Sequence, residues 1–86
     1  MSDTRAASDA ELIAELEAVA RQHLDWQGQL STEMPLVETL ALDSLRLLTL
    51  VVEIEDRFRI RLDEEDEAAI GTVGDLLRTI RRKRGA

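Results

Sequence analysis

The sequence predicts an all-α domain: a small four-helix bundle with three longer helices, a short third helix, and a long loop between the first and second. Three observations lead there. Helix-forming Ala, Leu, Glu and Arg dominate the 86 residues, and the only aromatics are Trp26 and Phe58, a composition that favours helix over sheet. Apolar residues recur at helical spacing in separate segments. Good cap residues stand where those segments begin.

The first helix is predicted from about Asp9 to His23. Ser8-Asp9-Ala10-Glu11 has the Ser-x-x-Glu form of a capping box, in which each side chain satisfies a free N–H at the helix start. Leu12, Ile13, Leu16, Val19 and Ala20 then form one stripe. Between Leu24 and Leu42 the periodicity lapses around Gly28 and Pro35. A connection this long must pack down or work, and Leu24, Trp26, Leu30, Met34, Leu36, Val37 and Leu40 are its expected anchors. Asp43 is a good N-cap for a second helix from Ser44 to about Arg57. At about 100° per residue, Leu47, Val51, Ile54 and Phe58, with Leu50 beside them, make its core face. Leu45, Leu48 and Val52 make a second apolar arc about 120° away, so this helix is buried on several sides or awaits a partner.

Phe58-Arg59-Ile60-Arg61-Leu62 alternates like a strand but has no second strand to pair with, and an extended loop is expected. Asp63 to Asp66 caps a short third helix, Glu64 to Ile70, which Gly71 ends. Thr72-Val73-Gly74-Asp75 caps the last helix, whose stripe is Val73, Leu76, Leu77 and Ile80, and whose closing Arg78, Arg81, Arg82, Lys83 and Arg84 complement the helix dipole. The domain is expected over 8–82, with a disordered segment 1–7 before it and a basic tail 83–86 after it.

Charge and composition exclude several functions. The net charge of −7 argues against nucleic acid, whose phosphates need a basic surface. Residues 1–67 carry net −11 and 68–86 net +4. With no cysteine, disulfides, thiolate metal sites and cysteine nucleophiles are ruled out. Asp63 to Glu67 lacks the spacing of a calcium loop and reads as a solvated helix start, so no metal is expected. No apolar run approaches the ~20 residues needed to span a bilayer and the start does not resemble a signal peptide; a cytoplasmic monomer is expected.

Ser44 stands where the long loop meets the most apolar helix. A Ser after an Asp at a helix start is by itself an ordinary capping arrangement. A serine hydrolase would need a His held by an acid, and His23, the single histidine, reads as a helix-end or surface residue. Trp26 reads as a loop anchor. No catalytic residue is assigned.

Leu42-Asp43-Ser44-Leu45, an apolar helix ending in Glu55-Asp56-Arg57-Phe58, the acidic turn, and Thr72-Val73-Gly74-Asp75-Leu76 together resemble the phosphopantetheine carrier proteins, acyl carrier proteins in particular, from about Leu40 to Ile80. The resemblance implies a discrete carrier and not an enzyme. It implies that Ser44 receives a 4′-phosphopantetheine arm from coenzyme A through a separate phosphopantetheinyl transferase, with Asp43 as neighbouring cap and contact for that enzyme. The arm's thiol would tether acyl or aminoacyl groups as thioesters, in keeping with a protein that has no thiol of its own. The positive end of a helix also suits a phosphodiester.

Partner docking is expected on the second helix at Leu45, Arg46, Leu48, Thr49 and Val52. The partners implied are a loading enzyme, either an adenylating ligase or an acyltransferase, and downstream synthase enzymes. Arg46 and Thr49 stand where the fatty-acid type is usually acidic, and Ala41 where it often has glycine. Because charge patterning sets partner choice, these departures point to a specialised pathway: polyketide, nonribosomal peptide, lipopeptide or modified fatty acid. The alternative is an unmodified four-helix interaction module that docks through the second helix.

Overall fold

The computed structural model describes residues 8–85; the segment 1–7, expected to be disordered, lies outside the described residues, as does Ala86. Five helices follow in order: α1 Asp9–His23, α2 Leu36–Thr39, α3 Ser44–Phe58, α4 Glu64–Ala69 and α5 Val73–Gly85. No strand occurs among the described residues. The predicted all-α bundle is therefore found, with one added turn of helix, α2, inside the long loop.

Ser8 caps α1 as its sequence requires. Its Oγ accepts from the Glu11 N–H at 3.2 Å while Glu11 accepts from the Ser8 N–H at 2.9 Å, which satisfies two of the helix's free donors. Leu12, Leu16, Val19 and Ala20 are buried on the inner face of α1, which packs on α3 and α5. From α3 come Leu50, Ile54 and Phe58, from α5 Val73, Leu76, Leu77 and Ile80. Leu47 and Val51, expected at the centre of the core face, are only half-buried. The buried row of α3 runs instead at four-residue steps from Leu50, because α1 meets that side.

The long loop is anchored much as expected. Leu24, Leu30, Leu36 and Leu40 are buried and Trp26 and Met34 half-buried, whereas Val37 is 48% exposed and anchors nothing in the core. Backbone pairing holds it further: the Leu36 N–H donates to Gly71 O at 2.9 Å, Val73 N–H to Met34 O at 2.9 Å, and Gly74 N–H to Thr32 O at 2.8 Å. A Cβ on Gly74 would stand 3.1 Å from that same Thr32 oxygen. Any larger residue would push the start of α5 and the loop apart by a few tenths of an ångström.

Phe58, expected in an extended loop, is instead the last residue of α3, and Arg59 ends that helix in the left-handed conformation at φ 60°; residues 60–62 form a loop with Ile60 and Leu62 buried and Arg61 exposed. Asp63 and Asp66 cap α4 reciprocally. Asp66, which the sequence places on a solvated helix start, is only 6% exposed. Its oxygens meet Lys83 Nζ at 2.7 Å and Arg82 Nη2 at 2.5 Å. The hydrogen bond from Lys83, aided by the Asp63 N–H, holds its carboxyl down to about 2. Residues 83–85, expected as a tail, are the last turn of α5, and through Lys83 they fasten α4 to α5.

Candidate functional site

The approach to Ser44 is built by the end of α2. Ala41 N–H donates to Glu38 O at 3.3 Å and Leu42 N–H to Val37 O at 2.9 Å, the two bonds of a Schellman turn. That turn requires a left-handed residue at Ala41, whose φ is 52°, a conformation in which glycine has no Cβ penalty. The chain then extends at Asp43, with φ −103° and ψ −171°, and its carboxylate accepts the Arg46 N–H at 2.8 Å. Asp43 is thus the N-cap of α3, as its type predicts.

Ser44 is the first residue of α3 and is exposed. Its hydroxyl makes no hydrogen bond among the described residues, and the N–H groups of Ser44 and Leu45 are likewise unpaired there. A free hydroxyl beside two free N–H donors at the positive end of a 15-residue helix suits a phosphodiester linked to that oxygen. The same site is poorly equipped for hydrolysis. His23 pairs with Glu53 at 3.2 Å, and Glu53 lies nine residues along α3, about 13 Å from Ser44 at 1.5 Å rise per residue. No group of three metal-ligating side chains occurs among the described residues.

Beyond Ser44, α3 presents two apolar surfaces. Leu45, Leu48 and Val52 are 71%, 59% and 50% exposed, a ridge that starts at the residue after the serine. On another side, Leu47, Val51 and Ile54 line a pocket of about 70 Å³ with Val37, Leu62 and Ile70; of its lining residues only Glu67 is charged. The pocket is less than half of the about 150 Å³ that admits a benzene. Half-burial of Leu47 and Val51 is what opens it, and helical periodicity alone could not distinguish pocket wall from core.

Arg46 and Thr49 are directed differently from the ridge. Thr49 Oγ1 donates to Leu45 O at 3.0 Å within the helix. The Arg46 guanidinium turns back into the structure, with Nη2 donating to Leu24 O at 2.7 Å and Leu40 O at 3.2 Å, and Nε to Ala41 O at 3.1 Å. Sequence reasoning had no signal for this, since the acceptors are main-chain carbonyls of distant residues.

The family model described as the phosphopantetheine attachment site matches residues 10–80. The acyl carrier protein of Thermotoga maritima is 32% identical over 80 residues, covering 92% of this chain and 99% of that one. A meromycolate extension acyl carrier protein of Mycolicibacterium aurum is 31% identical, over 90% of this chain and 80% of that one. Among solved structures, the crystal structure of the Thermotoga maritima acyl carrier protein superposes with a TM-score of 0.74 at 28% identity, covering 86% and 87% of the two chains. The solution structure of a holo acyl carrier protein from Geobacter metallireducens gives 0.74 at 26% identity, covering 85% of each.

Proposed function

The chain belongs to the phosphopantetheine-binding carrier family, and from that premise we propose that Ser44 is the residue to which the 4′-phosphopantetheine arm is joined. The protein is a carrier rather than an enzyme. The observation that carries the assignment to Ser44 is its free, exposed hydroxyl at the start of α3, with two unpaired N–H groups beside it. When bound, the group supplies a terminal thiol that holds acyl cargo as a thioester. The chain's own contribution is presentation: Asp43 starts the helix, and its second carboxylate oxygen remains available to the phosphopantetheinyl transferase.

The exposed ridge of Leu45, Leu48 and Val52 is the surface by which that transferase, a loading enzyme and synthase enzymes meet the carrier. A specialised pathway is supported by the start of α3. Its first turn contains no acid, Arg46 is engaged internally, and the docking ridge is apolar where charge would otherwise steer the encounter. Likeness to the meromycolate extension carriers favours a modified fatty acid as cargo.

Intact mass after incubation with coenzyme A and a broad-specificity phosphopantetheinyl transferase tests the assignment. Wild type should gain one arm and Ser44→Ala none. An unmodified wild type, or an arm retained by Ser44→Ala, would overturn it and leave an interaction module docking through α3.

A further inference from the structure

We propose that Arg46 is the positioning residue that sets Ser44 for arm transfer, by tying together the ends of three helices. This rests on the reading of Ser44 as the attachment point. Leu24 is the C-cap of α1 and Leu40 the C-cap of α2, and one nitrogen of Arg46, Nη2, donates to both of their carbonyls, at 2.7 and 3.2 Å. Nε donates to Ala41 O at 3.1 Å. The residue that sends its side chain to these acceptors sits in the first turn of α3, where its own N–H is bound by Asp43.

Charge and geometry both favour the arrangement. The C-terminal carbonyls of α1 and α2 lack partners inside their helices, and a cation there is favoured by the dipole of α1. Bonds from a charged donor are also stronger than neutral ones. The planar guanidinium offers Nε and Nη2 in a fixed fork, so its grip on residues 40 and 41 limits how the chain enters Asp43 and Ser44. Ala41 is held left-handed at φ 52°, and the bond to its carbonyl helps hold it there. Without that grip, the carbonyls of residues 40 and 41 lose their tie to α3, and the chain leading to Ser44 is held only by the Schellman turn, the burial of Leu40 and the Asp43 cap.

In arm transfer the Ser44 oxygen forms a bond to the phosphorus that carries the pantetheine as the pyrophosphate bond of coenzyme A breaks, adenosine 3′,5′-bisphosphate leaves, and the hydroxyl proton passes to the transferase. Arg46 touches none of these atoms. Its effect is on how well the oxygen is placed, and a misplacement of about 1 Å can cost about a hundredfold in rate. Turned inward, it is not a contact for the enzyme.

The test compares Arg46→Ala and Arg46→Lys with wild type in two measurements: kcat and KM for arm transfer, and amide hydrogen exchange. For Arg46→Ala, kcat should fall about tenfold with KM within about twofold. Exchange at the hydrogen-bonded amides of residues 40–42 should quicken by about tenfold or more while the α1 and α5 core amides keep their protection. Arg46→Lys, able to serve one or two carbonyls, should lie between. A raised KM at unchanged kcat would make Arg46 a docking contact and overturn the proposal, as would unaltered exchange at 40–42. If Arg46→Ala does not fold, the lysine variant decides, and wild-type values in both measurements overturn it. A wild type that takes no arm defeats the carrier assignment itself, and the exchange data then judge the three-helix tie separately.

Discussion

Replacing Ala41 by glycine should stabilise this protein, and the size of the effect follows from one dihedral angle. Ala41 has φ 52° at the turn between α2 and α3, and an L-residue in the left-handed region carries a penalty of about 1–2 kcal/mol that glycine does not. Against this, glycine makes the unfolded chain more flexible, which costs about 0.4–1 kcal/mol. The net gain is about 0.5–1 kcal/mol, or about 3–6 °C in melting temperature for a domain of this size. Ala14→Gly supplies the control, because Ala14 is exposed in the middle of α1. There the same chemical change costs about 0.8–1 kcal/mol. Thermal melts followed by circular dichroism at the helix signal should therefore move in opposite directions for the two variants. If Ala41→Gly melts below wild type, the turn is not strained and the reasoning fails.

Three further outcomes are expected. Leu48→Arg should leave stability within about 0.5 kcal/mol of wild type, since the side chain is 59% exposed, while arm transfer or loading by a partner falls about tenfold; loss of the helical signal instead would return Leu48 to the core. Gly74→Ala should lose about 1–2 kcal/mol in urea unfolding despite alanine's better helix propensity, because the new Cβ meets Thr32 O at 3.1 Å. Acid should weaken the fold. The carboxyl of Asp66 is held at about 2 by Lys83, and that of Asp75 is lowered by the N–H groups of Thr72 and Gly71. Both are depressed, so the stability they give is complete above about pH 4, where free carboxyls are ionised, and is lost as pH falls through their folded values. Melting temperature should drop between about pH 4 and 2, and Asp66→Asn should flatten that slope.

The parts of the fold legible in the sequence are those fixed by neighbours within a few residues. Ser8 and Glu11 announce the start of α1 because a capping box is a local exchange of two hydrogen bonds, and Asp43 announces α3 in the same way. What escaped was decided at long range. The short helix α2 has no side-chain cap bond, and Pro35 is its N-cap. Pairing of residues 32–36 with 71–74 holds it in place, and no periodicity in a four-residue helix can report that. Asp66 looked like one solvated acid among several, because its partners Lys83 and Arg82 stand on another helix. Of the candidate site, type marks Asp43 as a cap and spacing marks Leu45, Leu48 and Val52 as a second apolar arc, whereas Ser44 stands out as an attachment point only through the family resemblance; all five are exposed on α3 or at its cap. Arg46 was grouped with them by its position on the helix, yet a long side chain can fold back to acceptors that the sequence does not mark.

The ridge of Leu45, Leu48 and Val52 is short: the seven rises between its first and last residue span about 10 Å. If partner enzymes dock there as proposed, only one can rest on so narrow a strip, and each must vacate it before the next arrives. A tight complex would then be a blockage, and residence times, more than affinities, would set the pace at which cargo passes from one catalyst to another. Strengthening any single contact along the strip should slow the whole series, even while it speeds the one step it serves.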